Sequence, residues 1–474
     1  MTRAVRPLAW IAAVAGLVWL VFPLGFLSYD TWYSVVWGDE LAHGMSPDYG
    51  ALQPPTPHPL GILWAALISP LGAVTASDAT VVLAYLALGA VAYLVYRLGA
   101  DWFDRPVGLV AAVIVLTRAP FLEYGLRASP DLLYIGFVLC ALLIESRRRR
   151  AGWPVLALLA LAGLLRPEAW LFSAVYLAYM ALERDPSREG FRLRMRTELS
   201  TRELAGLVAL AASAPIGWAA FDLITTGDPT YSFTATHDRV ETLDRHTGPV
   251  QLFTYGPRQL GIVMQWAGAV AAPVGIILGF ALLRRRAMLG ITAAVLAGLA
   301  FAVLSSAGFS IIYRYTMLGS AVLCIFCALA LLGWRLLPTA DPWRRRWQLI
   351  AVGVAAIFLI QAPQQYDFVD EVHAELDEQK TAESDLHSLA DSAATNDDCR
   401  PLAAPTDRSV PRLAAWLDQK PSQVVITTEE GQPSRGYFFR PASPGAKLHY
   451  GTAPVPPGFR PIARNESWIL YARC

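Results

Sequence analysis

Apolar residues in this chain come in runs of about 20, the length that crosses roughly 30 Å of hydrocarbon, and short polar segments rich in arginine separate them. Eleven such windows lie near 8–27, 79–98, 107–123, 130–146, 152–165, 168–182, 204–223, 260–283, 287–307, 311–333 and 347–363. Arg166, Pro167 and Glu168 divide one long apolar stretch, 155–182, into the fifth and sixth windows, because charges deep in lipid are costly. The pattern predicts an α-helical polytopic membrane protein with about 11 transmembrane helices.

Three segments break it. Between 27 and 78 the chain reads as two short helices, 31–43 and 59–69, too short to cross a bilayer and joined by a stretch punctuated by Pro47, Pro54, Pro55 and Pro57. Trp32, Tyr33, Trp37 and Trp64 suit interfacial depth, so both helices are expected to lie on the outer membrane surface. The polar run 224–259 either covers a substrate groove or is a solvated connector. From 364 onward the composition shifts: 366–398 holds eleven acidic residues and one lysine, with Phe368, Val369, Val372, Leu376, Leu386 and Leu389 at helical spacing. Strand-like runs at 423–427, 436–439 and 468–472, with a helix-like 411–418, then predict a small α/β domain. The expected division is a transmembrane domain, 1–363, and a soluble domain on a helical stalk, 364–474.

Composition supports membrane residence: 55% of residues are hydrophobic and 16% charged, against roughly 25% charged in ordinary soluble domains. The net charge of +1 says little, but 36 of the 39 basic residues are arginine and their placement is uneven. With the N-terminus in the cytoplasm, twenty-one arginines fall on the cytoplasmic side, six of them between 184 and 202, and seven on the other, excluding the C-terminal region. An odd number of spans then exports residues 364–474. The first window follows Arg3 and Arg6 as a signal peptide would, but no A-x-A site follows it, so it is expected to remain as an uncleaved helix. Use of arginine over lysine points to a GC-rich genome and hence a bacterium. Cys399 and Cys474 are the two cysteines of the exported region and are expected to pair in an oxidising exterior. Cys140, Cys324 and Cys327 lie in apolar windows and read as packing residues.

The chain carries no internal repeat, Walker A loop, G-x-G-x-x-G or H-E-x-x-H. No nucleotide cofactor and no nucleic-acid partner are expected. Ionisable residues at membrane depth are functional candidates by default, and the predicted topology collects them on the outer face. They are Asp30 after the first span, Asp39 and Glu40 on the first short helix, and His58 before the second. Glu123, Arg127 and Asp131 follow in FLEYGLRASPDLLYIG, then Arg166 and Glu168 in GLLRPEAWLF, and Arg314 with Tyr313 and Tyr315 in SIIYRYTMLGS. Glu123 and Arg127 also suit a plain helix pair four residues apart, and Arg166 and Glu168 suit helix-end anchors. Together the set suits sugar transfer from a phosphate-bearing carrier. A carboxylate takes the acceptor hydroxyl's proton, guanidinium groups hold the leaving phosphate, and aromatic rings stack on sugar.

The ordered motifs Asp30 with Tyr33, LAHGMSP at 41–47, His58-Pro59, R-P-E at 166–168 and R-Y at 314–315 resemble the GT-C superfamily of integral-membrane glycosyltransferases. That superfamily includes protein O-mannosyltransferases, aminoarabinose transferase and Rgt-like enzymes. The resemblance spans about 335 residues, and the second outer turn departs from the usual R-P-D. It implies two surface helices in the first outer loop and an inverting transferase at the outer face of the cytoplasmic membrane. The implied partners are a polyprenyl-phosphate-linked sugar donor, a glycan, lipid or protein acceptor, and membrane lipids. It also implies Asp30 as base, with the Asp39-Glu40 pair as the other candidate. His58, Glu123, Arg127, Asp131, Arg166, Glu168, Arg314 and Tyr315 would bind donor sugar and phosphate. A divalent cation gathered by Asp30, Asp39, Glu40 and Asp131 stays open. So do two other readings: a transporter or lipid flippase, and a cell-wall-binding membrane anchor.

Overall fold

Each of the eleven apolar windows overlaps helix in the computed structural model, which describes residues 2–184, 193–196, 199–394 and 399–474, although the first helix ends at Val21, short of the window's end at 27. In chain order the first helices are α1 (Thr2–Val21), α2 (Tyr29–Ala42), α3 (Pro59–Ile68), α4 (Ala73–Trp102), α5 (Arg105–Leu116) and α6 (Ala119–Leu126). Next come α7 (Asp131–Arg147), α8 (Trp153–Gly163), α9 (Glu168–Ala181) and a two-stranded ribbon, β1 (Leu182–Arg184) and β2 (Leu193–Met195). They are followed by α10 (Thr201–Thr226), α11 (Tyr231–Thr242), α12 (Gly248–Leu282), α13 (Arg284–Ser306), α14 (Met317–Leu332) and α15 (Pro342–Ala394). Among the described residues six helices are by themselves long and apolar enough to cross a membrane, or seven if α5 and α6, bent by 64°, form one span. Of the arginines expected between 184 and 202, Arg188 and Arg192 lie outside the described residues.

The chain divides into two units, the first comprising Met1–Leu17, Leu86–Gly125 and Pro130–Val369, the second Val18–Tyr85, Leu126–Ser129 and Asp370–Cys474. In the first unit α14 is buried along its length, Cys324 and Cys327 included, and packs against α5, α12 and α13. A Cβ on Gly275 would collide with the Phe326 carbonyl oxygen, so glycine is what lets α12 and α14 touch. α12 is broken at Gln265 (φ 53°, ψ 177°). A break leaves backbone groups without helical partners, and side chains supply them. Arg118 Nη1 donates to the Met264 carbonyl (3.1 Å), Ala267 N–H donates to Gln361 Oε1 (2.7 Å), and Gln361 Nε2 donates to Gln265 Oε1. The polar run expected as a loop at 224–259 contains α11 and the start of α12. Asp222 accepts from Ser232 N–H and Oγ (2.9 and 2.8 Å), and His237 reaches the Ala307 carbonyl (2.7 Å).

The second unit joins the first short helices to the C-terminal region, which the sequence boundary at 363/364 separates. Its further elements are β3 (Leu402–Ala404), α16 (Val410–Trp416), β4 (Val425–Ile426), β5 (Gly436–Pro441), α17 (Pro444–Tyr450), β6 (Arg460–Arg464) and β7 (Trp468–Arg473). The sheet runs β4-β3-β5-β7-β6, parallel at β4/β3/β5 and antiparallel at β5/β7/β6. Its core packs Tyr437, Phe439, Tyr450, Trp468 and Leu470 with Leu386, Leu389 and Ala390 of α15, and Trp468 Nε1 donates to the Ala382 carbonyl (2.7 Å). A disulfide links Cys399 and Cys474; Cys140, Cys324 and Cys327 are free thiols.

α2 begins where Ser28 Oγ accepts from Thr31 N–H (3.3 Å). It ends in a Schellman turn, with Gly44 at φ 73° and Met45 N–H donating to the Glu40 carbonyl (2.9 Å). α3 follows on Pro59 at its first position. The helices cross at Gly38, where a Cβ would lie 2.6 Å from Ala66 N. Trp32, Tyr33 and Trp37, expected at the lipid interface, are instead buried within this unit: Trp32 Nε1 donates to Glu383 Oε1 (3.1 Å) and Trp37 Nε1 to the Asp48 carbonyl (2.9 Å). Nine of the 14 residues of α2 are buried.

Candidate active site

The first unit holds a buried polar cluster built from helix ends. Asp131 opens α7, Glu168 opens α9, and Arg314 and Tyr315 occupy the short 3-10 turn Tyr313–Thr316 that leads into α14. Arg166 precedes α9, its N–H bonded to the Ala162 carbonyl (2.9 Å). Asp131 Oδ1 accepts an ion pair from Arg166 Nη2 (2.7 Å) and faces Arg314 Nε at 3.6 Å. Both guanidinium carbons lie over the Tyr315 ring, at 5.8 and 5.9 Å. Asp131, Arg166 and Glu168 are each at most 4% exposed. Beside this set Tyr313 donates its hydroxyl to Glu123 Oε2 (3.1 Å) and meets Tyr124 edge-on at 5.7 Å. Four of the expected donor-binding residues, Asp131, Arg166, Arg314 and Tyr315, thus touch directly, although they lie in three separate turns of the chain. Helix N-termini carry partial positive charge, and two starting points, those of α7 and α9, hold carboxylates that offset it.

The second unit holds the other candidates. Asp30 is half-buried in the first turn of α2, where its carbonyl accepts from Ser34 Oγ (3.1 Å). The chain leading to it pairs with 126–129. Phe26 N–H donates to the Leu126 carbonyl (2.9 Å), Ser28 N–H to the Arg127 carbonyl (2.7 Å), and Thr31 Oγ1 to the Ala128 carbonyl (2.8 Å). Ala128 holds φ 43°, a left-handed backbone, to present that carbonyl. Arg127 Nη2 forms an ion pair with Glu375 Oε1 (2.8 Å), a partner 248 residues away that local pattern could not reveal. His58 caps α3, 3% exposed, and α3 places Gly61 against Ser34.

Asp39 and Glu40 stand nine and ten residues beyond Asp30, about 14 Å along the helix axis. They have partners of their own. Asp39 accepts from Ser69 Oγ and faces His43 Nδ1 at 3.6 Å. Glu40 Oε2 accepts from Asp48 N–H (2.7 Å), fixing the loop after α2. Both carboxylates line a cavity of about 510 Å³ with Asp418 and Lys420. Burial pushes the Glu40 carboxyl up to about 7, against the lowering effect of the Asp48 bond. Among the described residues no three His, Cys, Asp or Glu side chains are grouped to hold a metal ion.

No family model matches the chain, and no curated protein matches it. Solved structures do. The crystal structure of ArnT from Cupriavidus metallidurans bound to undecaprenyl phosphate aligns with a TM-score of 0.57 at 15% identity, over 98% of this chain and 97% of that one. The oligosaccharyltransferase of Archaeoglobus fulgidus in its apo form aligns at 0.47 and 10% identity over 90% of this chain, which spans 65% of that protein. The same organism's AglB, in complex with an inhibitory peptide and a dolichol-phosphate, aligns at 0.43 and 10% identity over the same shares. The chain therefore has the ArnT fold over nearly its whole length, the fold that its resemblance to the GT-C superfamily implies.

Proposed function

We propose that this chain is an inverting GT-C glycosyltransferase that moves a sugar from a polyprenyl-phosphate carrier to an acceptor hydroxyl at the outer face of the cytoplasmic membrane. The observation that carries the reading is the pair of guanidinium groups, Arg166 buried and Arg314 partly exposed, converging on Asp131 and on one tyrosine ring. Such a pre-arranged pair stabilises a phosphate that gains charge as it leaves. That the neighbour sharing the fold is bound to undecaprenyl phosphate supports the same carrier class here. In the proposed step the acceptor oxygen forms a bond to the anomeric carbon while the bond from that carbon to the phosphate oxygen breaks. Asp30 takes the hydroxyl proton, and polyprenyl phosphate departs with the electron pair. One displacement with one base inverts the anomeric centre. Asp30 is chosen over Asp39 and Glu40 because its place just after the first span fits the resemblance to the GT-C superfamily.

The transporter reading gains one observation, the break in α12 at Gln265, since broken helices mark transport sites. Here Arg118 and Gln361 fill the break, which makes it a closed structural joint.

The test uses the purified chain in nanodiscs with short-chain polyprenyl-phosphate monosaccharides and a membrane extract as acceptor. Asp30→Asn lowers transfer by about 10² to 10⁴-fold, the usual worth of a general base. Asp39→Asn and Glu40→Gln stay within about tenfold of the native rate. Full activity in Asp30→Asn, or the large loss in Glu40→Gln instead, overturns the assignment.

A further inference from the structure

The acidic stretch 366–398 suggests a solvated stalk, yet three of its side chains reach the chain around Asp30. Glu375 pairs with Arg127 (2.8 Å), Lys380 Nζ donates to the Pro23 carbonyl (2.7 Å), and Glu383, 8% exposed, accepts from Trp32 Nε1 on its Oε1 (3.1 Å). The other Glu383 oxygen accepts from Arg412 Nε at 2.6 Å. Arg412 is 2% exposed and uses its whole fork: Nη2 donates to the Leu27 carbonyl (3.2 Å) and Nη1 to the Arg408 carbonyl (3.0 Å). Its guanidinium lies over the rings of Trp32 and Tyr450, at 6.0 and 5.7 Å.

Leu27 and Trp32 bracket the turn that carries Asp30. Between them Ser28 and Thr31 are tied to the carbonyls of Arg127 and Ala128. The turn is thus held from one side by 126–129 and from the other by residues 350 or more positions later in the chain.

We propose that Glu383 and Arg412 are positioning residues for the transfer reaction: the C-terminal domain closes a clamp on Leu27 and Trp32 that fixes where the Asp30 carboxylate points. This rests on the reading of Asp30 as base. It makes the C-terminal domain an integral part of the catalytic machinery, neither a passive anchor nor an independent binding module. The chemistry requires arginine at 412. A lysine keeps the charge but is a single point donor and cannot reach Glu383 and the Leu27 carbonyl in one fixed geometry.

The experiment compares the full-length native chain with Arg412→Lys, Trp32→Phe and Glu429→Ala in one detergent. Glu429 meets Gln53 (3.2 Å), so that variant loosens another contact within the unit without touching the clamp. The first readout is amide hydrogen exchange, which needs no substrate. Arg412→Lys and Trp32→Phe speed exchange of amides 28–34 at least tenfold while β5 and β7 keep their protection, and Glu429→Ala leaves 28–34 unchanged. The second readout is transfer from a short-chain polyprenyl-phosphate sugar, where kcat falls at least tenfold in Arg412→Lys with the donor KM within twofold. Unchanged exchange at 28–34 in both clamp variants overturns the proposal, as does an equal loss in Glu429→Ala, which would mean general docking. If Arg412→Lys unfolds the domain, Trp32→Phe decides, since it deletes one N–H and leaves the ion pair. If the native chain transfers no sugar, the function reading fails, while the exchange result still judges the clamp.

Discussion

Glu40 makes the second unit pH-dependent in a direction that can be worked out in advance. Its carboxyl is buried against α3 and the loop after α2 and titrates at about 7 in the folded chain, against 4.5 when unfolded. A raised pKa means that folding favours the protonated form. The unit feels no penalty from this group below about pH 4.5. It loses stability as pH climbs towards 7, and the loss is constant above that. The full difference corresponds to about 3.4 kcal/mol at roughly 1.36 kcal/mol per unit. The carboxyl also faces the cavity it shares with Asp39 and Lys420, where solvent screening reduces that to about 1.5 kcal/mol. Glu40→Gln keeps an oxygen to accept from Asp48 N–H and cannot ionise. The variant should therefore be more stable than the native chain by about 1.5 kcal/mol at pH 8 and equal to it near pH 4.5. The measurement is the free energy of opening of the Asp48 amide by hydrogen exchange, corrected for intrinsic rates. A flat native profile between pH 5 and 8, or the same slope in Glu40→Gln, would refute the reasoning.

Two further outcomes follow from other parts of the structure. Cys474→Ser opens a loop closed by residues 75 positions apart, and on the chain-entropy account this costs about 4.5 kcal/mol; exchange of the β7 amides reads it, and a change below about 1 kcal/mol would mean that packing of Trp468 and Leu470 already fixes the strand. Gln361→Ala removes the acceptor for Ala267 N–H and the donor to Gln265 at the α12 break. It should cost about 1–3 kcal/mol, read as earlier thermal inactivation, and an unchanged inactivation curve would show that the break is satisfied some other way.

Which parts of the molecule could be read from sequence depends on how far apart the interacting residues lie. Helices are set by apolar length, a local property, so the windows at 79–98 and 311–333 land on α4 and on the turn and helix running from Tyr313 to Leu332. The cluster of Asp131, Arg166 and Arg314 was equally visible, because each charge stands at a helix end where apolar sequence gives way. The α12 break was not: Gln265 carries no proline or glycine, and its partners Arg118 and Gln361 lie 147 and 96 residues away. In the sheet, β3 is three residues long, and β6 is an edge strand whose Pro461 weakens the strand pattern.

The C-terminal region shows how this limit bears on function. Eleven acidic residues in one stretch signal solvent exposure by composition, and for most of α15 beyond residue 366 that signal is correct. Glu383 is the exception, since its partners are Arg412, 29 residues on, and Trp32, 351 residues back. A charge that must be desolvated beside a tryptophan survives only with a partner of opposite sign in good geometry, because an unpaired buried carboxylate is far too costly. Each half of the contact therefore requires the other: α2 buries Trp32 because the C-terminal region covers it, and Glu383 is tolerated there because Arg412 arrives on α16. Trp32, which looks interfacial in sequence, is a position that a later domain encloses, so the burial of Trp32 and the placement of Asp30 have one physical cause.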